Sequence, residues 1–145
     1  MNQFSFENAQ DGLNSKNEFT RGLIAYSLKY IPPSKEIMDK LVSLLEDESS
    51  FVRGNACAAL GNIGLNSKWE VDSVLVARLV SVMENDVDGE VRGNAAQAVG
   101  CVGMKNDYYR LLNCMGLPCN DDFVRFYKWG INAMKTRNII VEGVF

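Results

Sequence analysis

The chain has 145 residues, 47% of them apolar, and a formal charge of −3 from 15 Lys+Arg against 18 Asp+Glu. That suits one domain with a core large enough to need no disulfide or metal staple, and it gives no global attraction to phosphate backbones or anionic lipid. The sequence contains no histidine, which removes every Ser/His/Asp and Cys/His nucleophile arrangement, and its four cysteines lack CxxC spacing, so neither a catalytic constellation nor a metal or other cofactor is expected.

In chain order, the first segment, Met1 to Glu7, has neither the basic nor the apolar region of a signal peptide. With no apolar run near 18 residues, a cytoplasmic protein without membrane spans is expected. A first helix is placed within residues 5–13, and a second around Arg21. Pro32-Pro33 breaks the chain, and Ser34 caps a helix whose Ile37, Leu41, Leu44 and Leu45 share a face. Another helix follows, with Val52, Ala56, Ala59, Leu60 and Ile63 on one stripe. A run through Val71, Val74, Leu75, Leu79 and Val82 comes next, and then a helix striped by Val91, Ala95, Ala98, Val99 and Val102. Asp107–Met115 is read as a short helix ended by Gly116-Leu117-Pro118, before a last helix around Arg125.

Two of these helices are copies. Residues 51–64, Phe-Val-Arg-Gly-Asn-Ala-Cys-Ala-Ala-Leu-Gly-Asn-Ile-Gly, align without a gap on residues 90–103, Glu-Val-Arg-Gly-Asn-Ala-Ala-Gln-Ala-Val-Gly-Cys-Val-Gly. Six places before each arginine stands an acid, Asp47 before Arg53 and Asp86 before Arg92. Weaker copies are anchored on Arg21 and Arg125. Four helix-turn-helix units follow, at about 1–32, 33–65, 69–104 and 105–137, with residues 138–145 as a tail. Recurrent alanines allow neighbouring helices to approach closely, and Gly64 and Gly103 are expected to close their helices in a left-handed turn.

The motif Asp-x5-Arg-x2-Ala-x2-Ala-[Leu/Val]-Gly-x-[Ile/Val]-Gly resembles the HEAT repeat, and most closely the HEAT-like repeat of phycobilisome lyases, over residues 41–64 and 80–103. The resemblance implies an all-α fold, an α-α superhelix, in which Asp47, Arg53, Asp86 and Arg92 tie adjacent layers together. The outer copies depart from the pattern as end-capping repeats do.

Second helices of such units line the inner face, so residues turned from the apolar stripe are the contact candidates. These are Tyr26 and Tyr30 in the first unit, Asn55 and Asn62 in the second, Asn94 and Gln97 in the third, and Phe126 and Tyr127 in the last. They make an amide floor between aromatic walls, suited to an extended peptide or a helix of a protein partner. Asn55 and Asn94 bonding inside their own repeats, and the tyrosines completing end cores, is the alternative. Trp129, set near the Cys57 position, is assigned to packing. The tail, Asn138 to Phe145, is expected either to cover the end of the stack or to pair with another copy, giving a homodimer through the C-terminal end.

The function expected is a non-catalytic protein-binding scaffold or adaptor. Two rivals follow from the resemblance: a bilin-lyase-related chromophore-handling subunit, and a nucleic-acid-binding HEAT-like protein. The nearly uncharged inner face disfavours the second.

Overall fold

The computed structural model describes residues 5–115 and 121–139. Eight α-helices run through them, namely α1 (Phe6–Leu13), α2 (Glu18–Ser27), α3 (Lys35–Leu44), α4 (Ser50–Asn66), α5 (Ser73–Asn85), α6 (Gly89–Val102), α7 (Lys105–Met115) and α8 (Asp121–Thr136). A 3-10 turn, Leu28–Tyr30, extends α2. No strand occurs among the described residues. Consecutive helices pair as hairpins, and the second helices stack in the order α2, α4, α6, α8, making an all-α superhelix of four layers with the first helices outside.

Short polar side chains start the helices by accepting backbone N–H groups that would otherwise lack a partner. Ser34 Oγ accepts from Ile37 N at 3.2 Å, and Asp72 Oδ1 from Leu75 N at 2.8 Å. Asp88 Oδ1 takes both Glu90 N and Val91 N. Because α4 and α6 are packed by neighbours on several sides, they are apolar almost all round. Val52, Ala56, Cys57, Ala59, Leu60 and Ile63 are all buried in α4. In α5 the core face is Leu75, Val76, Leu79, Val80 and Met83, so the sequence-based stripe is rotated and Val74 lies exposed.

Glycines set the spacing between layers. A Cβ on Gly61 would sit 2.8 Å from Ala98 Cα, and one on Gly100 would collide with the backbone of Gly130. Gly64 is no helix terminator: α4 continues to Asn66, and Gly64 lies against Val102. Gly103 does end α6, but at φ −74° and not in the left-handed region.

An ion-pair ladder crosses the layers. Arg21 donates Nε and Nη2 to Asp47 of the next hairpin at 3.2 and 3.0 Å. Arg53 does the same to Asp86 at 2.9 and 3.1 Å. Each arginine also donates Nη1 to the carbonyl six residues before it: Arg21 to Ser15, Arg53 to Asp47, Arg92 to Asp86. One guanidinium therefore pins its own hairpin and grips the following one in the bidentate geometry that favours arginine over lysine. Burial works to raise the Asp47 carboxyl, yet the Arg21 bond, the Ser49 N–H and the charges of Arg21 and Arg53 outweigh it and hold it below its usual value. At the far end Arg137 donates to the carbonyls of Gly100 and Gly103, both at 2.9 Å, and so closes the C-terminus of α6.

Candidate functional site

The inner helices pack in one repeating register, which can be counted from the arginine that anchors each layer. Eight residues past its arginine, Gly61 meets Ala98, which stands six past its own; one past, Gly54 meets Asn94, two past. Between α6 and α8 the corresponding pairs are Gly100 with Gly130 and Gly93 with Phe126. These contacts put Val124, not Arg125, at the anchor position of the last layer. Arg125 is exposed, 5.3 Å over the Phe126 ring.

One residue of slip turns a helix by 100°, and it changes what faces inward. Tyr127 is 2% exposed and belongs to the core, so it is no contact residue. Its position is that of Ala56 and Ala95, on the buried stripe. Trp129, expected to pack, is 52% exposed and lines the groove. Five residues past the anchor position, the layers therefore present Tyr26, Ala58, Gln97 and Trp129, small or polar in the middle and aromatic at both ends.

The inner face holds two adjoining depressions of about 280 and 330 Å³ that share Tyr26, Ala58 and Asn94. The first is bounded by Phe51, Asn55, Asp88 and Glu90. The second runs from Tyr26 across Asn62 and Gln97 to Trp129, with Leu65 and Cys101 on its rim. Asn55 Nδ2 donates to Phe51 O at 2.8 Å and Asn94 Nδ2 to Glu90 O at 3.0 Å, one turn back in their own helices. Each carboxamide keeps its oxygen and second amide hydrogen for other partners. The side-chain amides of Asn62 and Gln97 make no hydrogen bond to another described residue and line the groove.

The walls are built differently. Lys29 Nζ lies 3.7 Å from the Tyr26 ring centroid and 5.0 Å from that of Tyr30, which keeps the two rings together. Tyr30 is exposed outside the groove lining. Phe126 is half-buried against Gly93 and meets Trp129 edge-on at 5.8 Å, so it props the second wall. Burial pushes the Cys57 thiol up to about 12 and raises those of Cys101 and Cys114, leaving little thiolate at neutral pH. Cys119, Gly116-Leu117-Pro118 and the tail from Ile140 lie outside the described residues. Ile139 packs against the core. No helix among the described residues is long and apolar enough to cross a membrane.

Comparison with known proteins agrees with this architecture. A search of curated proteins returns no match. Among solved structures, the chain is similar to a chain of the CpcE–CpcF complex of phycocyanin lyase from Nostoc sp. PCC7120, with 22% identity and a TM-score of 0.70. That match covers 95% of this chain and 56% of the other, so this chain spans little more than half its length. The family described as HEAT repeats matches residues 7–100. With four stacked hairpins and that match over most of its length, the chain belongs to the HEAT-repeat family.

Proposed function

We propose that this chain is a non-catalytic protein-binding scaffold, and that the groove between Tyr26 and Trp129 receives an extended segment of a protein partner. The carrying observation is the pattern across the layers: uncommitted amides at Asn62 and Gln97 in the centre, aromatic rings at the ends. Carboxamides donate to and accept from a peptide backbone alike, while tyrosine and tryptophan bury apolar area with few rotors to freeze. The acidic pair Asp88 and Glu90 at one end favours a partner with a basic residue there, and works against nucleic acid. Panning a random peptide library on the wild-type chain and re-measuring the selected peptides on Gln97→Arg tests this. At least tenfold weaker binding is expected, and equal binding to both chains would put the site elsewhere.

The likeness to a phycocyanin-lyase chain supports a second reading, a lyase-related subunit that handles a chromophore. A flat apolar ligand could lie between the same two rings. Co-expression with a phycobiliprotein and a bilin, followed by absorbance, decides this reading by whether an adduct forms.

A further inference from the structure

The two ends of the stack differ. In the inner layers, the residues two before and two after the anchoring arginine reach back to the preceding layer, where Phe51 and Asn55 close over Gly22. In the first layer these positions are Phe19 and Leu23, 59% and 60% exposed, with no earlier hairpin beneath them among the described residues. They continue into Tyr26 of α2 and Tyr30 of the 3-10 turn that extends it as one exposed apolar stripe, spaced four, three and four residues apart, with the Phe19 ring also 5.4 Å from that of Phe51 in the next layer. A terminal layer that faced only water would carry polar residues there. The last layer does so: the positions by which α8 would face a following hairpin are Arg125, Lys128, Asn132 and Lys135.

We propose that the α2 stripe is the contact surface for a second copy of this chain, with the two α2 helices antiparallel about a two-fold axis. The four-three-four spacing is that of a coiled-coil seam, which is self-complementary when reversed. Phe19 then lies opposite the partner's Tyr30, and Leu23 opposite the partner's Tyr26. Charge selects this arrangement over others. A head-to-tail contact would set the stripe against the basic face of α8. A parallel pairing would bring the two Glu18 side chains together and the two Lys29 side chains together, whereas the antiparallel one brings each Glu18 end beside the partner's Lys29 end. Arg21, the cation within α2, is already held by Asp47. Tyr26 serves both the stripe and the groove wall, so pairing and groove occupancy compete for it.

Sedimentation velocity of the full chain from about 1 to 300 µM tests the pairing, with circular dichroism to confirm that variants are folded. A concentration-dependent dimer is expected. Leu23→Glu and Tyr30→Glu, at exposed sites outside the groove lining, should each weaken it at least tenfold. Lys128→Glu at the opposite end and Gln97→Arg in the groove should leave it unchanged, which separates this proposal from the scaffold reading on which groove binding rests. A monomer at every concentration, a dimer indifferent to both α2 substitutions, or one broken by Lys128→Glu would each overturn it.

Discussion

Gly100 and Gly130 meet backbone to backbone where α6 crosses α8. A methyl group on Gly100 has no side chain to displace, only the main chain of the other helix. Gly100→Ala should therefore destabilise by about 2 kcal/mol through overpacking, even after the gain in helix propensity. Gly54→Ala provides the contrast, because its Cβ would meet the Asn94 amide at 3.2 Å and that side chain can shift. It should be neutral or up to about 1 kcal/mol more stable. Urea unfolding of both variants measures the difference; equal effects would mean that the close approach is not what selects glycine at 100.

The rung between Arg53 and Asp86 is shielded, with side chains only 13% and 8% exposed. Removing either partner leaves the other charge in a poor environment, so Arg53→Ala and Asp86→Ala should each cost about 3 kcal/mol. Arg53→Ala should cost more, since it also abandons the carbonyls of Asp47 and Glu48. The double variant should cost clearly less than the two single losses combined, with a coupling of about 1–3 kcal/mol. Strict additivity in a double-mutant cycle would show that the two residues do not stabilise through each other.

Acid should loosen the first rung. The Asp47 carboxyl is held below its ordinary 3.8 in the folded chain. A lowered folded value means that its contribution is complete above the unfolded value and disappears as pH falls through the folded one. The stability gap between wild type and Asp47→Asn should stay constant from pH 7 to 5 and narrow from about 4 downward. Urea midpoints at pH 7, 5 and 3 check it, and a gap that widens in acid would contradict the ionised pairing.

Neighbouring aromatics in α8 should behave oppositely. Tyr127→Ala empties a core position and should cost about 3–5 kcal/mol. Trp129→Ala loses mainly groove surface, so its stability cost should stay under about 1 kcal/mol while affinity for selected peptides falls. Thermal melts and binding titrations of the pair separate the roles. A Trp129→Ala chain that unfolds like Tyr127→Ala would restore the register anchored on Arg125.

That register is where sequence and structure part company. Arg125 resembled the other arginines, but setting it at the anchor position places Lys128 and Lys135 on the buried stripe. Setting Val124 there gives Tyr127, Gly130, Ile131 and Met134, an apolar stripe with a small residue at the point of closest approach. The signal was present in the chain, though weaker than the eye-catching arginine. For Arg137 no such periodic signal exists, since its carbonyl partners lie more than 30 residues away in sequence.

The sequence alone determined the helical class, the four-layer repeat and the acid–arginine spacing, because a repeat writes the same packing demands into each copy. It also placed Tyr26, Asn62, Asn94 and Gln97 on one face, since helical periodicity is a local property. Only the tertiary structure decided that Arg21 and Arg53 each grip the acid of the following hairpin, that Trp129 and not Tyr127 walls the groove, and that the α2 end is apolar while the α8 end is basic. Those are relations between helices. They are fixed by how closely glycines let two backbones approach, a quantity that no single helix carries by itself.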